Sequence, residues 1–231
     1  MKRAAPSQNK TPLLSFETLK TKQRKIREKF PSDHGLRVHR GLSWLNRAES
    51  AGKDHDAAFI FYWIAFNALY ADDKGEITNV GVRSAFDDYF TKVVPLDVNQ
   101  RIYDAIWTKF SGSIRLILDN RYVFQPFWSF QNKVPGNDNW EERFEKNKKR
   151  TQIALKSKDT KTILKALFDR LYVLRNQLIH GGSTWNSSVN RSQVKDGASI
   201  LAFLVPLFID IMMDNPQESW GAPYYPIADP K

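Results

Sequence analysis

The chain has 231 residues, 42% of them hydrophobic and 13% aromatic, enough to enclose one full core with appendages. It has no cysteine, which excludes disulfides and thiolate metal sites, and its four histidines (His34, His39, His55 and His180) are too scattered for a histidine-rich metal cluster, so no metal or other cofactor is expected. The formal net charge of +10 is concentrated at the start: residues 1–30 hold nine basic side chains against Glu17 and Glu28, a run that suits a nucleic-acid arm or a solvated tail equally.

In chain order the pattern predicts helices throughout. Residues 1 to about 15, with Pro6 and Pro12, carry no apolar run long enough for a signal peptide and read as loose. Phe16 to Phe30 predicts a basic helix ending before Pro31, so residues 1–31 read as a basic N-terminal extension. Ser32 or Asp33 can cap a helix to about Ala51, with Leu36, Leu42 and Leu45 inward, Trp44 partly buried and His39 on the surface or in packing. Asp54 or Asp56 opens the next helix, AAFIFYWIAFNALYA, so apolar that it must be enclosed on most sides; it is expected at the centre of a bundle. Asn67 inside it needs a partner, expected on a neighbouring helix. His55, near its start, reads as a surface residue.

Asp72 to Pro95 contains Gly75, Gly81 and a short helix through Val82 to Tyr89. A long helix follows from about Asp97 to Asn120, with Ile102, Ile106, Phe110, Ile114 and Ile117 or Leu118 roughly along one face. The stretch NRYVFQPFWSFQNKVPGNDNW, with Pro126, Pro135 and Gly136, reads as an irregular excursion packed by its own rings. Glu141 to Lys158 is a charged helix in which Lys146, Lys148, Lys149 and Arg150 form a basic cluster, suited to a phosphate backbone or to solvent. Asp159 and Thr160 can cap the next helix, and a last one runs from about Gln193 to Asp214, kinked at Pro206 and ended by Asn215-Pro216. Trp220 and Tyr224-Tyr225 have no regular pattern and are available to fold back. The domain is thus placed at 32–214, with an insertion over about 121–158 and a tail over 215–231. The apolar stretches Ala57–Ala71 and Ala198–Met213 are short for a bilayer and read as buried helices, so no membrane partner is expected and the chain is assigned to the cytoplasm. There is no internal repeat, Gly-rich phosphate loop, GxSxG elbow, or pair of carboxylates at helical spacing with a histidine.

The stretch richest in chemistry is LYVLRNQLIHGG, Leu171 to Gly182. Leu167, Leu171, Leu174 and Leu178 repeat at helical spacing and face inward, while Gly181 and Gly182 supply a stop that leaves His180 in the last turn. His180 lies about 140° around the axis and ~7.5 Å beyond Arg175, and Asn176 stacks beneath it. An arginine is long enough to close that gap, so guanidinium, amide and imidazole can surround one phosphate at the helix end. The plainer alternative makes Arg175 a solvated charge and His180 a favourable cation near the helix C-terminus.

Arg175-Asn176-Gln177-Leu178-Ile179-His180, behind the buried FYWIAFNALYA helix, resembles the HEPN domain, whose signature is an Arg, usually a polar residue, then three to five residues and a His. The Asn ahead of ALY and the aromatic YVFQPFW insertion are similar to the Apea-like branch, and the likeness covers roughly residues 34–214. It implies an all-α, up-and-down bundle of four to five core helices that dimerises and brings two Arg-His pairs across one cleft. It also implies metal-independent endoribonuclease activity, often as a toxin or defence effector under an antitoxin or defence-system partner. Arg175 and His180 match the catalytic pair, Asn176 the polar residue between them, and Asn67 the polar residue the family often carries on its second helix. Members silenced by adenylylation have a Tyr two residues after the His; Gly182 stands there in this chain, so that control is not expected.

The chemistry follows without the family as well. RNA carries its own nucleophile, so cleavage needs a base for the 2′-OH proton, an acid for the leaving 5′-oxygen and positive charge on the phosphorane. Imidazole suits either transfer near neutral pH, Arg175 can stabilise the charge, and Asn176 can donate to an oxygen or orient His180. Two other classes stay open: a non-catalytic HEPN module that binds nucleic acid or a partner protein, and a structural helical dimer in which Arg175 and His180 form a polar network.

Overall fold

Short polar side chains set where several helices begin. The Ser15 hydroxyl accepts from Thr18 N, the Asp54 carboxylate from Ala57 N (3.0 Å) and the Asp159 carboxylate from Thr162 N (3.0 Å), each satisfying a donor that the first turn leaves over. The computed structural model describes residues 14–71 and 79–227, and every regular element among them is helical. The helices are α1 (Phe16–Ile26), α2 (Ser32–Glu49), α3 (His55–Tyr70), α4 (Asn79–Leu96), α5 (Arg101–Asp104), α6 (Ser111–Leu118), α7 (Gln125–Gln131), α8 (Trp140–Ser157), α9 (Thr160–Ile179) and α10 (Arg191–Asp214). Most of the N-terminal stretch read above as loose, Gly75 and the end of the tail lie outside the described residues.

Helix α3 is central, packing against α2, α10, α9 and α4. Its near-continuous apolar sequence is explained by that position: Phe59, Trp63, Phe66 and Leu69 are all essentially inaccessible. Phe66 is surrounded by rings of three other helices, among them Phe86, Phe90, Phe168 and Phe208, at centroid distances of 4.5 to 6.1 Å. Two neighbours come close to α3 through glycines. A Cβ at Gly41 of α2 would stand 2.8 Å from Leu69, and one at Gly197 of α10 would stand 2.7 Å from the Phe59 ring.

The structure departs from the sequence pattern in five places. Pro31, not Ser32 or Asp33, occupies the cap position of α2 and makes no side-chain cap bond, and Leu36 is only half-buried, while Leu42 and Leu45 are inside. The short helix expected at 82–89 is the middle of the longer α4. The single helix expected from Asp97 to Asn120 is broken into α5, a π-helical turn (Ala105–Lys109) and α6, with Phe110 N bonding Ala105 O at 2.9 Å. The reason is register. In one unbroken α-helix the buried set Ile114, Ile117 and Leu118 would point about 120° away from Ile102, Ala105 and Ile106; a turn that spends one extra residue takes back roughly 100° of that.

Fourth, the excursion after Asn120 is not irregular throughout but contains the helix α7; it is packed by its own rings as expected, Phe124, Phe127, Trp140 and Phe144 forming a small core. Fifth, packing continues past the boundary drawn at residue 31: α1 lies against α2 and α10, and its Leu19 is inside the main core. An ionic cluster ties it there, Lys22 reaching Asp210 and Asp214 (both 2.6 Å) and Arg101 reaching the other oxygen of Asp210 (2.6 Å). Helix α10 is long and apolar enough to cross a bilayer, but 78% of its apolar window is buried in the bundle. It runs on through Pro206. The tail folds back over α2 and α4: the buried Arg37 donates to Gly221 O and Ala222 O, Arg40 to Tyr225 O, Lys92 to Ser219 O, and Trp220 packs beside Tyr89.

Candidate functional site

The site forms where α9 stops. Leu167, Leu171 and Leu174 anchor the helix in the core, and Leu178, half-buried, packs against it. Gly181 then turns the chain out of the helix at φ +69°, Gly182 N bonding Gln177 O (2.7 Å) and Gly181 N bonding Leu178 O (3.3 Å). This double bond pattern with a left-handed glycine is the Schellman ending, and it requires close approach: a Cβ on Gly182 would meet Gln177 O at 3.1 Å. His180 is therefore the cap residue, exposed, with no hydrogen bond to its ring among the described residues.

One turn back, Arg175 Nη1 donates to Asn176 Oδ1 (2.9 Å), while Arg175 Nε is buried without a hydrogen-bond partner among the described residues. The pairing fixes the amide: its oxygen faces the guanidinium, which leaves the Nδ2 donors uncommitted. Arg175, Asn176 and His180 line one open cleft of about 510 Å³. The three residues are thus brought together, although His180 bonds to neither of the others.

A second wall comes from α7, whose Gln125 and Trp128, with Asn132 just past its end, line the same cleft. The sequence pattern missed all three, because the aromatic content of the excursion signals self-packing and gives no sign of which face turns outward. Tyr172, Val173, Gln177 and Gly182 complete the lining. Gln177 connects the walls, its Nε2 donating to Tyr122 O (2.7 Å) and its Oε1 accepting from Asn190 Nδ2 (3.0 Å). The same Tyr122 carbonyl takes the Trp128 indole N–H at 2.7 Å. Behind α7 the Arg170 guanidinium lies 4.4 Å from the Phe124 ring centroid and bonds Asn147 Oδ1, holding the insertion to α9. The loop after Gly182 is fixed to the start of α3: Arg191 clasps both oxygens of Asp56 (2.9 and 2.8 Å), Asn186 N bonds Asp56, and the Trp185 indole bonds Asp54 (3.1 Å).

Asn67 does not line the cleft, and its partner is not on a neighbouring helix as expected. Its Oδ1 accepts from Tyr70 OH (3.0 Å), three residues on in α3, and it is half-buried. Burial pushes the Tyr70 pKa far up, the neighbouring Tyr172 adds to the rise, and the Arg175 charge opposes it. Lys146, Lys148, Lys149 and Arg150 stand on α8 and do not line the cleft either; the first, third and fourth are solvent-facing, and Lys148 lies 3.8 Å from Glu145. Among the described residues no three of His, Asp and Glu are grouped as metal ligands.

No family model, curated protein or solved structure matches the chain. The site's chemistry is therefore read from its own groups. It offers a guanidinium and an amide for an anion, an imidazole without a hydrogen bond among the described residues for a proton, and a flat ring with two amides in the same cleft.

Proposed function

We propose that the chain is a metal-independent endoribonuclease of the HEPN type, acting as a toxin or defence effector in the cytoplasm, under the control of an antitoxin or other partner. The observation that carries this is the convergence of Arg175, Asn176 and His180 on one cleft at the end of α9. Arg175 holds the scissile phosphate through its donors, Asn176 Nδ2 adds a further one, and charge on the phosphorane is stabilised where it develops. The 2′-OH attacks, and imidazole takes or returns the proton.

Each chain supplies one such imidazole. A second copy, docked on the exposed Ile179, Trp185 and Val189 beside His180, supplies the other across a two-fold axis. The test is incubation of purified protein with structured and unstructured RNA in EDTA. Cleavage leaving 2′,3′-cyclic phosphate and 5′-OH ends, blocked by a 2′-deoxy substitution at the cut, supports the reading. Products with a 5′-phosphate, lost in EDTA, would overturn it. Salt-sensitive RNA retention without cutting would leave the non-catalytic HEPN module in its place.

A further inference from the structure

The two walls of the cleft differ in kind. The α9 wall provides what a phosphate needs, whereas Gln125, Trp128 and Asn132 on the α7 wall carry no charge. A flat ring with two amides complements a nucleobase, which presents a π face and an edge of alternating donors and acceptors. The ring is also held in advance. Its indole N–H is committed to Tyr122 O, and Gln177, two residues after Arg175, donates to that same carbonyl, so the position of Trp128 is registered to the phosphate-binding side. The amides keep capacity to spare: Gln125 Nε2 makes only a 3.5 Å contact with Ser129 Oγ, and among the described residues Gln125 Oε1 and the Asn132 side chain have no bond. A volume of about 510 Å³ falls within the range of small-molecule pockets, roughly 300–1,000 Å³, which suits one nucleotide and not a helix.

From these observations we infer that the cleft is a binding site for one unpaired nucleobase, stacked on Trp128 and read at its edge by Gln125 and Asn132. The inference rests on the endoribonuclease reading and deepens it, because it makes the substrate single-stranded at the cut. A base inside a duplex is already stacked and paired and cannot enter.

The probes are a set of nucleoside 3′-monophosphates and inorganic phosphate, titrated separately against the full chain by NMR. Wild type binds the nucleotides more tightly than phosphate, by on the order of 10-fold or more. Trp128→Leu, which keeps an apolar side chain and removes the flat ring, abolishes that margin without weakening phosphate binding, while Trp128→Phe retains most of it. Gln125→Ala and Asn132→Ala change which base is preferred. A wild-type protein with no margin, or a margin that survives Trp128→Leu, overturns the inference. If Trp128→Leu loses phosphate as well, Trp128→Phe decides: a retained margin supports the site, and a lost one refutes it. RNA cleavage in EDTA is scored separately. Cutting with base-independent binding removes the base site and keeps the enzyme, and a Trp128-dependent margin without cutting does the reverse.

Discussion

His180 is the most exposed of the three residues that converge on the cleft, and its side chain contributes no bond that α9 needs for its ending, which is built from backbone and two glycines. His180→Ala should therefore leave the melting temperature nearly unchanged while RNA cleavage falls on the order of 100-fold or more. Arg175 is different, since its proposed role requires planar donors. Arg175→Lys should lose most activity yet keep weak, salt-sensitive RNA binding, and full activity in the lysine variant would reduce the residue to a generic charge. A third residue acts on stability alone. His34 is 3% exposed, neither ring nitrogen has a hydrogen-bond partner among the described residues, and burial, helped by the nearby Arg37 charge, lowers its pKa to about 4. As pH falls below about 6.5 the unfolded chain gains this proton and the folded one does not, so stability drops between pH 6.5 and 4, by at most about 3 kcal/mol. Urea melts of wild type and His34→Phe across that window should diverge, the variant lacking this part of the slope; parallel curves would remove His34 as the cause. Arg175 and His180 were legible because helical spacing is local. His34 was not, because its burial is decided by Phe30 and Arg37, which no periodicity marks.

At the scale of elements, the sequence placed α3 and α9 closely, since each has a capping aspartate, and α8 closely although its charged sequence carries no side-chain cap bond. It failed at the π turn between α5 and α6, where two apolar sets each fit a helix and only their mutual angle betrays the break. Close approach was equally hidden. Gly197 is an ordinary helical glycine in sequence, but α10 meets Phe59 there, so Gly197→Ala should destabilise by about 1–3 kcal/mol despite the better helix propensity of alanine. A methyl group at Gly112 would meet nothing within 4 Å among the described residues, and Gly112→Ala should be neutral or stabilising by up to about 1 kcal/mol. Chemical denaturation of both variants checks the contrast. Equal effects would mean that helix propensity, and not the Phe59 contact, governs position 197.

For the whole molecule, the proposed enzyme needs two imidazoles where one chain supplies one. Sedimentation is expected to give a dimer at micromolar concentration. Mixing Arg175→Ala with His180→Ala chains should partly restore activity if the cooperating Arg and His come from different copies, and a fully active monomer would sink the shared cleft. The tail makes its own demand. Arg37 is fully buried, and Gly221 O and Ala222 O accept from two of its nitrogens. Truncation after Asn215 should therefore cost on the order of 3 kcal/mol, by taking acceptors away from a charge inside the bundle. The aromatic residues Trp220 and Tyr224-Tyr225 signalled that the tail could fold back, and Trp220 is indeed buried in the main core; the bonds to Arg37 were not legible, because the tail makes them with backbone carbonyls.

The small aromatic core of Phe124, Phe127, Trp140 and Phe144 is separate from the large one that holds α9. On the proposed reading, the half of the cleft that cuts and the half that chooses are thus stabilised by different sets of side chains. The choice of target could then be altered by substitutions on α7 without endangering the proposed reactive pair. Substitutions at Gln125, Trp128 and Asn132 would on that reading move target preference while the cleavage chemistry stayed behind.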